Sequence, residues 1–147
     1  MNLSPHFTLE EFTISTTAAQ LGIDNTPDQD ALSELEDLAD LLERVRTLLD
    51  DSPIMITSGY RCPQLNAAVG GVPDSAHVYG RAVDFIAPDF GTPHEIVEQL
   101  VPYMAELQID QLIWEYGDWV HLGLHENDDE ARCMALTIDS AGTRAFA

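Results

Sequence analysis

Three side chains, at His77, Asp84 and His121, have the types and spacing of a zinc site. Two imidazoles and one carboxylate supply three protein ligands, which leaves the fourth position of a tetrahedral zinc ion open to water. Asp118 precedes the last ligand by three residues and is placed to accept a proton from that water. The pattern therefore indicates a hydrolytic metal centre.

Two strand-like segments are predicted to carry the carboxylate and one imidazole. Successive side chains of a strand alternate between its faces, so Asp84 in 82–86 and His121 in 119–124 would lie on the face opposite their apolar immediate neighbours, which pack into the core. A polar group in such a run is costly to bury without a partner, and a shared metal would provide one. Gly80 allows the backbone to turn back, so that the histidine of the preceding loop reaches the same ion.

The remaining elements place these strands in an α+β fold. A long helix is predicted to begin at Thr26 as its cap, with Pro27 in the first turn and apolar residues recurring every three or four positions. The other predicted elements are a capped helix from Thr8, an irregular segment 14–25, strands at 54–57, 109–114 and 133–138, a loop 63–75, and a helix 92–107 kinked at Pro102. We expect a small antiparallel-rich sheet flanked by helices, with the zinc site on the sheet, in a single domain spanning 1–147.

The composition argues against two classes of partner. The chain of 147 residues has 26 acidic residues against 6 basic ones, a formal net charge of -20. Nucleic acids and anionic membranes are therefore not expected to bind, because both require clustered cations. No secretory signal and no membrane span are predicted, and Cys62 and Cys133 are expected to be buried, reduced thiols.

The motifs together resemble the zinc D-Ala-D-Ala carboxypeptidase family. The resemblance rests on Ser75-x-His77-x-x-Gly80-x-Ala82-x-Asp84 followed by Asp118-x-x-His121, and on Ser58-Gly-Tyr-Arg61, which matches the family's Ser-x-Tyr-Arg element. It extends from about residue 3 to residue 124. That family includes D-Ala-D-Ala dipeptidases and phage lysins that cut the L-alanoyl-D-glutamate bond of peptidoglycan, and its fold is of the hedgehog/D-Ala-D-Ala peptidase type.

The resemblance also implies roles for individual residues. Zn²⁺ would be held by the two histidines and Asp84, and Asp118 would act first as general base and then as acid toward the leaving amine. Arg61 would stabilise the carbonyl oxygen as negative charge develops on it. Glu115 is the reserve candidate for the base if Asp118 points away from the site.

We therefore expect a zinc metallopeptidase that hydrolyses a bond in peptidoglycan stem peptides. The resemblance leaves open an L-Ala-D-Glu endopeptidase and a D-Ala-D-Ala carboxypeptidase. A phage or prophage endolysin is expected, monomeric and held in the host cytoplasm until another protein releases it to the cell wall. The alternative is a non-catalytic, zinc-stabilised module that binds the wall or has a structural role. Asp118 and Arg61 favour the enzyme, because a binding module needs neither a base nor a cation beside the carbonyl.

Overall fold

The computed structural model describes residues 1–127 and 130–147. Its strands are β1 (Asn2–Ser4), β2 (Phe7–Thr8), β3 (Met55–Ser58), β4 (Ala82–Ile86), β5 (Gln111–Glu115), β6 (Trp119–Gly123), β7 (Met134–Asp139) and β8 (Gly142–Ala145). Its helices are α1 (Leu9–Thr13), α2 (Thr16–Leu21), α3 (Gln29–Leu48), α4 (Pro63–Ala68), α5 (Pro93–Leu100) and α6 (Met104–Leu107), with 3₁₀ helices at Ala76–Tyr79 and Val101–Tyr103. Within the two described stretches, no helix combines the length and the apolar character needed to cross a membrane.

The strands form a small antiparallel hairpin and one larger sheet. β1 pairs with β2, and the other six strands follow the order β3-β4-β6-β5-β7-β8. Every neighbouring pair in the larger sheet is antiparallel except β5 and β7, which run parallel. Antiparallel neighbours can be joined by tight turns, whereas the parallel pair requires a crossover after β6. The prediction of an α+β fold with an antiparallel-rich sheet flanked by helices is confirmed.

The two faces of the larger sheet have different environments. Val83, Leu122 and Leu112 lie side by side in register on neighbouring strands, and all three are fully buried. They belong to one core that also contains apolar residues of α3 and α5. The opposite face carries Asp84 and His121, because side chains of a strand alternate between faces. Burying the first face against helices thus leaves the second face available for the site.

Helix α3 supplies the long apolar stripe that its sequence predicts. Leu35, Leu38 and Leu42 are fully buried, and the stripe continues along the same face to the end of the helix. The start of the helix differs from the prediction, because Asp28 rather than Thr26 is the cap and accepts the N–H of Ala31. The Thr26 hydroxyl and N–H instead donate to Asp24 in a local turn, which leaves Asp28 to satisfy the helix terminus.

Several other local predictions can be compared with the structure. The helix predicted for 92–107 divides at Pro102 into α5, a 3₁₀ turn and α6, as a proline within a helix favours. The segments predicted to be irregular or looped contain α2, capped by Ser15, and α4, which has Pro63 in its first turn. The prediction of two buried thiols is wrong for Cys133, which is exposed, whereas Cys62 is half-buried and both thiols are free.

Candidate metal centre and cleft

Two central strands and one short helical turn position the predicted ligands. Asp84 on β4 is the direct register partner of His121 on β6, so both side chains leave the same face of the sheet at adjacent points. His77 lies in the 3₁₀ helix that precedes β4. That helix ends at Gly80, whose backbone adopts a left-handed conformation with φ of 76°. A side chain at this position would come within 2.7 Å of the Ala31 carbonyl oxygen, so the turn requires glycine.

The three side chains converge closely enough to share one ion. Their candidate ligand atoms all lie within 4.8 Å of one another. Asp84 Oδ1 is 2.8 Å from His121 Nδ1 and 3.5 Å from His77 Nε2. These separations bracket the roughly 3.3 Å expected between two ligands that lie about 2.0–2.1 Å from a tetrahedral zinc ion. Two nitrogens and one carboxylate oxygen also match the ligand chemistry of zinc, so the residues present fit this metal.

A backbone contact fixes the orientation of the first imidazole. His77 Nδ1 lies 2.7 Å from the carbonyl oxygen of Gly59, so with Nδ1 as the donor the acceptor nitrogen Nε2 faces Asp84. Gly59 itself packs tightly, since a Cβ at this position would lie 2.5 Å from the Phe12 carbonyl oxygen. The ring of His77 is also almost completely buried. This candidate ligand is therefore held in one orientation by the surrounding backbone.

The charge state of Asp84 is set by two opposing effects. Burial acts to raise the pKa of Asp84, but the close contacts with the His121 and His77 imidazoles outweigh burial and hold this pKa below its usual range. The carboxylate therefore stays ionised at neutral pH. An ionised carboxylate between two imidazoles is the form that binds a divalent cation.

Arg61 lies next to this triad and is incompletely hydrogen-bonded. Its Nε is buried without a hydrogen-bond partner among residues 1–127 and 130–147, and its Nη2 makes only a long contact of 3.5 Å to Ser75 Oγ. Burial lowers the pKa of Arg61, while the carboxylates of Asp84 and Glu115 act in the opposite direction. The side chain remains a cation with donor capacity, placed beside the ligands.

The two acids considered for the base occupy different places in the β5–β6 hairpin. Tyr116 and Gly117 both have positive φ, of 52° and 72°, and the N–H of Asp118 donates to the Glu115 carbonyl oxygen at 3.0 Å. This is the pattern of a type I′ turn. Asp118 is the exposed fourth residue of the turn, whereas Glu115 is half-buried and lines the same cleft as His121. Burial raises the pKa of Glu115, and His121 acts in the opposite direction.

A cleft extends from the triad over the open face of the sheet. Its volume is about 910 Å³, and one end includes His121 and Glu115. Along the sheet it is lined by Ile113, Leu136 and Ile138, whose side chains share the face of the ligands. The site can therefore receive a substrate considerably larger than a single amino acid.

The comparison with protein families agrees with this geometry. Residues 5–123 match the family described as Peptidase M15, which is well over half of the chain. The chain belongs to the peptidase M15 family. A comparison with curated proteins gives no match. At the level of the family, membership supports a zinc peptidase that acts on peptidoglycan, and the family resemblance predicted from the motifs is confirmed.

Proposed function

We propose that the protein is a zinc peptidase that hydrolyses one peptide bond in the stem peptides of peptidoglycan. The observation that carries this proposal is the convergence of His77, Asp84 and His121 on one open face of the sheet, within a chain of the peptidase M15 family. The cleft beside them supports a peptide substrate, because its wall offers both apolar and polar side chains over a volume of about 910 Å³.

The three converging residues would hold the metal through His77 Nε2, one oxygen of Asp84 and His121 Nδ1. When bound, zinc supplies a Lewis acid that lowers the pKa of water toward about 7 and polarises the scissile carbonyl. The protein contributes orientation, since the Gly59 carbonyl accepts from His77 Nδ1 and so directs Nε2 of that imidazole toward Asp84.

We assign the general base to Glu115 in preference to Asp118. Glu115 lines the cleft on the same face as His121 and lies close enough to the ligands for their charges to affect its pKa. Asp118 is exposed on the turn. A base must reach the attacking water, so position in the cleft favours Glu115, which would take the proton and then pass it to the leaving amine. The assignment of the base to Asp118 stays a prediction, and the substitutions described below test both acids.

Arg61 would donate to the carbonyl oxygen of the scissile bond. Its half-buried guanidinium lies near Asp84 and Glu115 and carries a buried Nε without a partner among the described residues. A cation in a partly dehydrated site stabilises developing negative charge more strongly than it does in water. The same contacts would orient the substrate carbonyl before attack.

The test compares single substitutions on purified peptidoglycan after zinc loading. Glu115→Gln should lower turnover by about 100-fold or more, because a positioned base contributes about 10²–10⁴-fold. Asp118→Asn should retain most of the activity, and Glu36→Gln, an exposed acid on α3, serves as the matched control. Zinc content is measured for each variant, so that a lost base is distinguished from a lost metal.

Each outcome assigns a role. Loss of activity in Asp118→Asn with activity kept in Glu115→Gln would give the base to Asp118. Zinc bound stoichiometrically without any new peptide termini in the wild type would reject the enzyme and favour a zinc-stabilised module that binds the wall.

The biological setting proposed is that of a phage or prophage endolysin, supported by the similarity of the motifs to those of phage lysins. Such a protein acts on the wall only after release from the cytoplasm. Added protein should therefore lower the turbidity of bacteria whose membranes have been permeabilised, and the Glu115→Gln variant should not. Turbidity that is unaffected by active enzyme would argue for a wall-remodelling peptidase instead.

A further inference from the structure

We propose that the enzyme is an endopeptidase, which binds an extended peptide on both sides of the triad, rather than a carboxypeptidase. This inference rests on the proposed function and selects between its two reactions. It is drawn from the order of the strands, from two cavities that flank the ligands, and from the charges along the larger cavity.

The larger cavity lies on the β5 side of the ligands. Ile113 on β5 is the register partner of both His121 and Leu136, so apolar side chains continue the ligand row across the sheet. Ile138 and Thr143, on β7 and β8, are also partners in register and line the far end of the cavity. A peptide leaving the triad in this direction would pass over three further strands.

A second cavity lies on the β3 side of the ligands. It has a volume of about 360 Å³, and its wall includes Thr57 and Ser58 of β3 and Thr16 of α2. Ser58 is the register partner of Asp84, so this cavity adjoins the triad from the opposite direction. Arg61 also lines it. Since liquid water occupies about 30 Å³ per molecule, the space is sufficient for peptide groups and not only for solvent.

The strand order makes these two cavities opposite continuations of one binding surface. The ligands Asp84 and His121 lie on β4 and β6, which are interior neighbours in the larger sheet. β3 borders them on one side, and β5, β7 and β8 follow on the other. A bond placed over the triad would therefore have substrate on both sides, which is the requirement for cutting within a chain.

The charges of the larger cavity disfavour a terminal carboxylate there. A carboxypeptidase must hold the free carboxylate of its substrate beside the scissile bond. Arg132 is engaged by Asp110 in two contacts of 3.0 and 2.7 Å, and Arg81 lies 3.4 Å from Glu34. The cavity is also lined by further acids, Asp74, Glu115 and Glu126. These cations are already neutralised, so an anionic chain end would meet net negative charge.

The smaller cavity offers hydroxyl groups together with Arg61. The proposed function places the Arg61 guanidinium at the scissile carbonyl, so it is not available to a carboxylate one residue away. Hydroxyl groups of serine and threonine bind backbone amides and carbonyls equally well, because each one donates and accepts. This wall therefore fits the interior of a peptide.

A matched pair of substrates tests the inference. The first is N-acetyl-L-Ala-D-Glu-L-Lys-D-Ala-D-Ala, and the second is the same peptide amidated at its C-terminus. An endopeptidase should cut both at the same internal bond and at equal rates, and mass spectrometry of the products identifies that bond. A carboxypeptidase should release D-alanine from the first and lose about 100-fold or more on the second, because a site built to bind the missing group rejects the analogue.

Threonine-to-tryptophan substitutions test each cavity separately. Thr16→Trp and Thr143→Trp would narrow the smaller and larger cavities, and Thr47→Trp on the exposed side of α3 is the control. Each cavity variant should lower kcat/KM by about tenfold through misplacement of the substrate, with the control unchanged. Calorimetric binding of the amidated peptide to the Glu115→Gln variant should weaken in parallel.

The outcomes separate the inference from the proposed function. Release of D-alanine alone, or sensitivity to only one of the two cavity substitutions, would overturn the endopeptidase and leave the peptidase intact. Absence of cleavage in both peptides and in peptidoglycan, with zinc bound, would overturn the proposed function and the inference with it.

Discussion

Replacing Asp110 with alanine should destabilise the protein by about 2 kcal/mol. The Asp110 carboxylate is 7% exposed and accepts hydrogen bonds from the Arg132 backbone N–H, Nε and Nη2 at 2.9, 3.0 and 2.7 Å. Breaking a buried ion pair costs about 3–5 kcal/mol. The Arg132 side chain, however, is 53% exposed, so water solvates its guanidinium when Asp110 is removed and the loss of stability is smaller.

The chain contains a matched control for this pair. Asp139 and Arg144 form the same two contacts, at 3.0 and 2.7 Å, but the Asp139 carboxylate is 33% exposed. Arg144 lowers the pKa of Asp139 to about 2, yet solvent screens this exposed pair, so Asp139→Ala should cost clearly less than Asp110→Ala. Chemical denaturation of both variants and of the wild type measures the difference. At this chain length 2 kcal/mol corresponds to a fall in Tm of about 4–8 °C.

The dependence on pH provides the decisive test. Hydrogen bonds from Arg132 lower the pKa of Asp110 below its ordinary value of 3.8, so the folded state favours the ionised carboxyl. The stabilisation is therefore fully present above pH 3.8 and is lost as the pH falls through the folded-state pKa. The difference in free energy of unfolding between the wild type and Asp110→Ala should be equal at pH 7 and at pH 5, which is about one unit above the pKa of the unfolded state. The difference should close as the pH falls below that pKa. Equal losses in the two aspartate variants, or a gap that widens in acid, would refute the reasoning.

Three further predictions concern the turn, the core and the metal. Gly80→Ala should cost about 2 kcal/mol more than Gly70→Ala, because overpacking costs about 1–3 kcal/mol and only at Gly80 would a Cβ come within 2.7 Å of the Ala31 carbonyl oxygen, although both glycines have positive φ. Denaturant midpoints of the two variants compare them directly, and equal midpoints would contradict the expected clash. Phe85→Ala should lower the free energy of unfolding by about 3–5 kcal/mol, since this side chain is fully buried behind the site. The variant should still bind zinc in a calorimetric titration if the triad depends on the position of the backbone rather than on the packing of the core. Chelation of zinc should lower the free energy of unfolding by about 2.7 kcal/mol, compared with protein at a free zinc concentration of 100 times Kd. Added zinc should restore the stability, and a Tm that does not change with chelator would count against the metal centre.

The sheet face that carries the candidate ligands could be predicted from the sequence, because the immediate neighbours of each one are apolar. Val83 and Phe85 are fully buried, so Asp84 between them must leave the other face of β4, and the same holds for His121 between Val120 and Leu122. What the sequence does not contain is the pairing of these two strands. It is the register of Asp84 opposite His121 that turns two separate motifs into one site.

Spacing alone leaves the general base open between Asp118 and Glu115. Asp118 lies three residues before His121, and that spacing is the same whether the intervening chain is a strand or a turn. The dipeptide Tyr116-Gly117 indicates the turn, since glycine in a two-residue connection between β-type segments favours a type I′ hairpin. With the hairpin closed there, Glu115 pairs with Trp119 on the face of the ligands, and Asp118 remains in the turn.

The elements that the sequence did not predict are short and depend on tertiary contacts. β1 and β2 contain five residues together, and they are fixed by Glu43 of α3, which accepts the Ser4 hydroxyl and the His6 N–H. β8 is exposed along its whole length and is defined by its pairing with β7. Neither has an apolar pattern of its own, so only the assembled fold specifies them.

The location of the ligands on interior strands also determines how the enzyme can be altered. β4 and β6 are enclosed by neighbours on both sides, whereas β3 and β8 form the two margins of the sheet, where a change in side chain disturbs the fewest partners. Libraries randomised at Thr57 on β3 and Thr143 on β8 would therefore diversify the choice of cleavage point while the hydrolytic chemistry stays constant. Bond preference and catalytic power would then be independently evolvable traits of this scaffold.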